Sequence, residues 1–380
     1  MADILPPFDD RDGMIWFDGT FGPWRDAKLH PLSHGLHYAS SLFEGERAYS
    51  SRIFKLQEHT DRLFESATQL DMTIPFTPTE INDACNELKK NPKNDIINQF
   101  DEYYNYAIHR AVTGPSFEKS FLEVKGDSDL QAKFYVSASG SSGTLAAGDY
   151  LKDHLNSKIA VVEATECPTL LNNGYGEHNI QGIGDKHVPL IHNVMNTDFV
   201  VGISEKATNN LNMVFNTEIG QKYLINKKGF EKNFINRLPE FGFSTIANIL
   251  ASIKIAKYMN LGSNDAIITV ATDGADLYLS ELDRTKEEFI GIYDEFSCAE
   301  IIGQYLKGAT TDNTLELNQR EKERIFNLGY YTWVEQQGIE FDDFEMRRDQ
   351  QVWKHLQKLA PIWDELIEEF NNQTGVLANR

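Results

Sequence analysis

The feature that most narrows the fold is a set of four runs rich in β-branched and aromatic residues: AKFYVSA (132–138), KIAVVEA (158–164), DFVVGIS (198–204) and DAIITVATDG (265–274). Helical segments separate them. Strands that are apolar on both faces need cover on both faces, and the crossover helices of a parallel sheet provide it. The expectation is an α/β fold, a mostly parallel sheet with helices on both faces, over residues 94–310. Residues 1–91 have a different texture. Short strand-like runs, MIWF, ERAYS and RIFKL, are punctuated by Gly, Pro and Ser, with Ser50-Ser51 as one turn. Two helical stretches follow, one with Leu63, Phe64, Ala67 and Leu70 at helical spacing, the other (TPTEINDACNELKKN) opening on a Thr77/Thr79 capping pattern. This reads as a small α+β domain. From 311 to 380 the chain is charged and helical, and Trp333, Phe344, Trp353, Leu356, Leu359 and Trp363 form an apolar stripe suited to packing.

The first of the four runs leads into a knot of small residues, FYVSASGSSGTLAAGDYL (134–151). At Gly140, Ser141, Ser142, Gly143 and Thr144, glycine lets the backbone approach a ligand and adopt positive φ. Hydroxyls and the free N–H groups of the next helix point the same way. That geometry suits a phosphate dianion, aided by the helix dipole and by a place at the carboxyl edge of the sheet. No GKS or GKT closes the loop and GxGxxG is absent, so it is neither a Walker loop nor a dinucleotide fingerprint. A plain tight turn between strand and helix fits the same residues. Downstream, ECPTLLNNGYGEHNIQGIGDKHVP crowds Gly174, Gly176, Gly182 and Gly184 beside His178, Asn179, Gln181 and His187, which argues for backbone passing close to something flat or bulky. A third piece, VATDGADLYLSE, puts the Thr272 hydroxyl at the end of the last strand candidate.

Charge and cysteine usage exclude several classes. The 36 Lys+Arg against 57 Asp+Glu give a formal charge of −21 with no basic cluster, so nucleic acid and anionic membranes are not expected partners. Cys85, Cys167 and Cys298 show no CxxC spacing, which suggests neither a disulfide framework nor a zinc site and fits a reducing cytoplasm. The segment MADILPPFDDRDG is acidic where a signal peptide would be basic and then apolar. A cytoplasmic protein is expected. His109, His154 and His192 lack metal-ligand spacing and read as ordinary histidines.

The three pieces, Gly140 to Thr144, His178 to Gly184 (HNIQGIG) and Thr272, in this order, resemble the fold-type II pyridoxal phosphate enzymes of the cysteine synthase, cystathionine β-synthase and threonine synthase family. The spacing QF…N…H…TG from Gln99 to Gly114 resembles the segment before that family's phosphate loop. By this resemblance, Gly140, Ser141, Ser142, Gly143 and Thr144 hold the phosphate of pyridoxal 5′-phosphate, Gly182 and Gly184 lie beside its ring, and Thr272 meets the ring nitrogen. A neutral partner at that nitrogen favours β-elimination or β-replacement over transamination. The expected substrate is a small amino acid.

Residues 1–91 resemble something else. WFDGTFGPWRDAKLHPLSHGLHYASSLFEGERAY followed by QEHTDRLFESA is similar to the N-terminal domain of branched-chain amino-acid aminotransferases, which are fold-type IV. That resemblance implies that Tyr38 and Phe43 line a substrate pocket, with Gly45 at the strand beside it, and that Arg62 binds a cofactor phosphate. The chain thus resembles the front of one pyridoxal phosphate enzyme joined to the back of another, with a seam near Asn91 to Asn94. Both families place the lysine that carries the cofactor in the part without a counterpart here, so no matching catalytic lysine is found. The pair Lys152-Asp153 lies on the helix after the phosphate loop, and Lys186 is a weak substitute.

Three functions follow as expectations. The first is a cysteine synthase-type β-replacement or β-elimination lyase with impaired or no turnover. The others are a branched-chain aminotransferase, and a non-catalytic binder of cofactor or phosphate or an inactive fusion product. A homodimer is the assembly considered, and loss of a covering domain should leave apolar surface exposed.

Overall fold

The computed structural model describes residues 13–29, 41–46, 48–49, 52–90, 98–184 and 186–374. The chain divides into two compact units, Met1–Ile97 and Asn98–Arg380.

In the first unit, β1 (Met14–Phe17) pairs antiparallel with β2 (Thr20–Pro23). The turn between them is Asp18-Gly19, and both residues have positive φ, 48° and 84°. This is the mirror-image turn whose twist matches a hairpin. The runs ERAYS and RIFKL contribute β3 (Ala48–Tyr49) and β4 (Arg52–Ile53), only two residues each, and the Ser50-Ser51 turn lies outside the described residues. Helix α1 (Leu56–Gln69) packs on α2 (Pro78–Lys89), with Thr60 donating to Asn82 Oδ1 at 2.5 Å. Thr77 caps α2. Its hydroxyl accepts from the Glu80 N–H at 3.3 Å, and the Glu80 carboxylate accepts from the Thr77 N–H at 2.7 Å. Two otherwise orphaned donors are thereby satisfied.

The second unit opens with a helix in three parts: α3 (Tyr103–Ile108), a π-type turn (His109–Thr113) and α4 (Gly114–Lys125). The four expected strands follow as β5 (Gln131–Ala138), β6 (Lys158–Ala164), β7 (Phe199–Ile203) and β8 (Asp265–Thr269). They form a five-stranded sheet in the order β8-β5-β6-β7-β9, in which β9 (Thr314–Glu316) alone is antiparallel. The fold is therefore α/β with a mostly parallel sheet.

Side chains alternate across this sheet. Phe134, Val136, Ala160, Val162, Phe199 and Val201 face a core completed by Phe243, Ile246, Ala247 and Leu250 of the helix Phe243–Tyr258. Ile159, Val161 and Val200 face the other way, toward Leu145 of the helix Leu145–Leu155 and toward Trp333 and Phe344 of the C-terminal segment. Trp333, Phe344 and Trp353 of the apolar stripe are packing, while Leu359 is exposed: Trp333 donates to the Val188 carbonyl (2.7 Å), and Trp353 sits with Tyr106, Ala146 and Ile191. Exposed apolar side chains remain on the second unit, among them Ile108, Val112, Val124, Ile290, Ile292 and Phe296. Among the described residues, no helix is long and apolar enough to cross a membrane.

The chain runs β5, β6, β7 outward and then returns to place β8 on the far side of β5. Open α/β sheets bind ligands outside the carboxyl ends of the strands at such a reversal. Here that crevice lies beyond Ala138 of β5 and Thr269 of β8.

Candidate functional site

A cavity of about 400 Å³ occupies that crevice. Its lining includes Gly140, Ser141, Ser142, Gly143, Thr144, Gly182, Gly184 and Thr272, so the three sequence pieces come together in space. Phe100, His109, Ser244 and Asn248 also line it.

The loop after β5 is built for close approach. Ser142 has φ of 73°. A left-handed conformation is uncommon for a residue with a Cβ, and such positions gather at ligand loops. A Cβ on Gly143 would lie 2.3 Å from Asn105 Oδ1 and 2.8 Å from the His109 ring, so only glycine fits there. The backbone N–H groups of Ser141, Ser142, Gly143 and Thr144 donate to no protein acceptor among the described residues. They precede the helix Leu145–Leu155. The N–H groups at a helix start are natural anion donors.

Side-chain hydrogen bonds hold the loop in this shape. Thr144 Oγ1 lies 2.9 Å from Ser137 Oγ, Ser142 Oγ lies 2.9 Å from Ser139 Oγ, and Asn105 Nδ2 donates to Ser141 Oγ at 3.0 Å. Tyr135, buried beneath, donates to the Thr144 carbonyl at 3.0 Å.

The glycine-rich segment closes one side. Gly184 donates its N–H to the Ser139 carbonyl at 2.7 Å, and a Cβ on Gly140 would lie 3.3 Å from the Gly182 carbonyl. Gly184 has φ of +83°, and His178 Nε2 sits where its Cβ would be, at 2.3 Å. His178 Nδ1 accepts from the Ile180 N–H at 3.2 Å. In the neutral ring, that acceptor role puts the proton on Nε2. Burial pushes this imidazole below its ordinary value, with Glu166 and Glu205 working against the shift. The Asn179 N–H donates to Glu205 Oε2 at 2.5 Å, tying the segment to the start of the helix Glu205–Asn216.

Asn248 joins the two strand ends. It accepts from the Ala138 N–H at 2.7 Å and donates to the Val270 carbonyl at 3.0 Å. The backbone is thus satisfied where β5 and β8 stop pairing. Thr272 Oγ1 lies 3.0 Å from Ser244 Oγ at the mouth of the cavity. His109, read from sequence as an ordinary histidine, lines the cavity from the π-type turn, with Nδ1 3.0 Å from Thr113 Oγ1 and its pKa lowered by burial. Such turns often mark functional positions, a signal visible only once the backbone is known.

The lysine candidates lie elsewhere. Lys186 is exposed and does not line the cavity. Lys152 donates to both oxygens of Asp198 (2.9 and 2.8 Å) and to the Asn196 carbonyl (2.8 Å), while Asp153 pairs with Arg110 at 2.6 Å. No lysine, arginine or carboxylate is found among the described residues that line the cavity.

In the N-terminal unit, Tyr38 lies outside the described residues. Phe43 is 81% exposed and packs in no core, while Gly45 lies in the irregular segment 41–46 and not on a strand. Arg62 Nε donates to Glu44 Oε2 at 2.7 Å, and Glu44 also meets His59 Nδ1 at 3.0 Å. Among the described residues, no cluster of His, Cys, Asp and Glu could hold a metal ion.

No family model matches the chain. Its N-terminal part is similar to branched-chain-amino-acid aminotransferases: 54% identical over 79 residues to that of Pseudomonas aeruginosa, covering 20% of this chain and 26% of the relative. For Escherichia coli K12 the figures are 40% over 90 residues, 23% and 28%. The chain thus spans about a quarter of the length of these relatives. Solved structures match a larger share. A cysteine synthase from Entamoeba histolytica matches with 23% identity and a TM-score of 0.43, covering 64% of this chain and 65% of that one. A hydrogen sulfide-producing enzyme from Fusobacterium nucleatum matches with 22% identity and a TM-score of 0.41, covering 63% and 62%.

Proposed function

We propose that the second unit binds pyridoxal 5′-phosphate in the cavity beyond β5 and β8, and that turnover of the cysteine synthase type, on a small amino acid with a β leaving group, is absent or very low. The observation that carries this reading is the row of unspent N–H donors from Ser141 to Thr144 in a loop that only glycine at 143 permits. Anions bind at such helix starts without help from a cation. The hydroxyls of Ser141 and Thr144 would add donors around the phosphate, Gly182 and Gly184 would leave room for the ring beside their backbone, and Thr272 would be a neutral partner for the ring nitrogen.

Bound pyridoxal phosphate supplies an electron sink for bond breaking at an amino-acid α-carbon. The protein must supply an amine that carries the cofactor and moves the α-proton. Among the described lining residues no lysine does so, and His109, its proton affinity depressed by burial, is the sole titratable side chain in the lining. Purification with pyridoxal phosphate, borohydride reduction and mass-spectrometric mapping of lysines tests the reading. Bound cofactor with no stoichiometric lysine adduct is expected. One fully modified lysine would overturn the inactive assignment, and its position would choose the family.

A second reading, branched-chain aminotransferase activity, is favoured by the 54% identity of the N-terminal part. It predicts amino transfer that depends on a branched-chain keto acid, measured by coupled assay.

A further inference from the structure

We infer that the outer edge of β8 docks a second copy of this chain, the two β8 strands pairing antiparallel about a two-fold axis at Ile267. This goes beyond the cofactor reading above and does not rest on it.

The two edges of the five-stranded sheet are built differently. At one edge, β9 is three residues long and ends on a charge, Glu316, with Lys158 Nζ 3.6 Å from it. Short, charged edge strands resist pairing with another sheet. At the other edge, β8 has five residues and opens a run, AIITVAT (266–272), of β-branched and small residues with no charge and no proline. All five residues of β8 are half-buried, whereas β5 alongside is buried from Phe134 to Ala138. Both faces of β8 are nevertheless covered. Ile267 packs on the core that contains Phe243 and Ile246, and Ile268 packs on the opposite side with Phe117, Tyr135 and Leu151. The remaining exposure therefore runs along the backbone edge, where a terminal strand presents unpaired N–H and C=O groups.

The sequence of β8 is self-complementary in one antiparallel register. With Ile267 opposite Ile267 of the second copy, Ala266 faces Ile268 and Asp265 faces Thr269, so no like charges are opposed and a β-branched pair sits at the centre. The contact is isologous: it uses the β8 edge of both copies and closes at a dimer. Each copy carries a formal charge of −21, so long-range repulsion opposes the pair and salt relieves it.

The test is sedimentation equilibrium of the full chain over a concentration and salt series, joined to the distance between nitroxide labels on Asn264→Cys. Position 264 is exposed and adjoins β8; the half-buried Cys85 is replaced by Cys85→Ser so that it takes no label. A reversible dimer that tightens as salt rises is expected. In this register Asn264 lies opposite residue 270 of the second copy, so the labelled Cα atoms are about 20 Å apart, six residues of strand rise. Asp265 opposite Thr269 also predicts that Thr269→Glu weakens the dimer roughly 5-fold or more, the contact occurring twice by symmetry, while Thr269→Lys, a cation across from Asp265, does not. A monomer at every concentration and salt overturns the inference. So does a dimer whose labels lie more than ~40 Å apart, which loosens as salt rises, or which responds equally to the two Thr269 variants, because another face then carries the contact. If neither Thr269 variant folds, the label distance decides alone.

Discussion

Two regions of the chain carry a group suited to a phosphate, and they differ in whether that group is still free to act. In the N-terminal unit it is Arg62, whose guanidinium is bonded to Glu44, with the side chain 63% exposed. In the α/β unit it is the run of N–H groups from Ser141 to Thr144, which have no acceptor among the described residues. The arginine carries a full charge, yet a carboxylate already neutralises it and water screens it. The amides carry only partial charges, but the fold fixes their direction and leaves them unspent. Preorganised donors that lack a partner are a better sign of an anion site than a cation that has one.

The change that would break the comparison most sharply is Gly143→Val. Its Cβ alone would fall 2.3 Å from Asn105 Oδ1, so the loop must move and its N–H groups diverge. We expect pyridoxal phosphate affinity to fall by roughly 100-fold, about 3 kcal/mol, in calorimetric titration of a variant with wild-type circular dichroism. Unchanged affinity would mean that the anion is held somewhere else.

Asn248→Ala comes next. It strands the Ala138 N–H and the Val270 carbonyl in a position where Asn248 itself is only 1% exposed. A lost partner for buried polar groups costs about 2 kcal/mol. Urea unfolding of the second unit should show that loss, together with weaker cofactor binding. Asn248→Asp keeps the acceptor and loses the donor, and should recover part of the stability.

Asn248 also marks where the sequence ceases to be readable. The strands are legible because Val, Ile and Phe runs announce themselves locally, and the loop is legible because Gly-Ser-Ser-Gly is unusual within so short a stretch. Thr77, at the Thr77/Thr79 capping pattern, is a local signal of the same kind. Asn248, by contrast, acts on Ala138 across 110 positions, and nothing in its own neighbourhood on an apolar helix sets it apart. His109 lies in a segment whose pattern is visible, but the π-type turn that brings it to the cavity has no composition signal. Arg62 fails in the other direction. The sequence offers a cation, and only the structure discloses that Glu44, 18 residues earlier, has taken it.

A pH-dependent effect sharpens the contrast between two carboxylates, one held neutral and one held charged. Glu163, 4% exposed in β6, accepts from the N–H groups of Leu170 (2.9 Å) and Leu171 (2.8 Å). Burial nevertheless raises its pKa from 4.5 to about 7, outweighing those two bonds. Its folded value is thus above its unfolded one. The stability it contributes is fully present below pH 4.5 and is lost as pH rises through about 7. The difference in unfolding free energy between wild type and Glu163→Gln should therefore shift against the wild type by up to about 1.4 kcal/mol per pH unit across that window. A difference independent of pH would show that Glu163 stays charged in the folded protein.

The smallest effect is the one that decides between the regions. Burial pushes Glu44 upward, but hydrogen bonds from Arg62 and His59 outweigh it and hold its pKa below 4.5. The stability this gives is present above pH 4.5 and is lost as pH falls through the depressed folded value. Arg62→Ala removes one of the two side-chain partners that Glu44 has among the described residues. With the arginine largely in solvent, the cost should be at most about 1 kcal/mol at neutral pH and should vanish in acid. If the α/β loop holds the cofactor phosphate, the same variant changes pyridoxal phosphate affinity by less than ~2-fold. A loss comparable to that of Gly143→Val would mean that Arg62 exchanges Glu44 for the phosphate, and the free amides from Ser141 to Thr144 would then be an ordinary helix start.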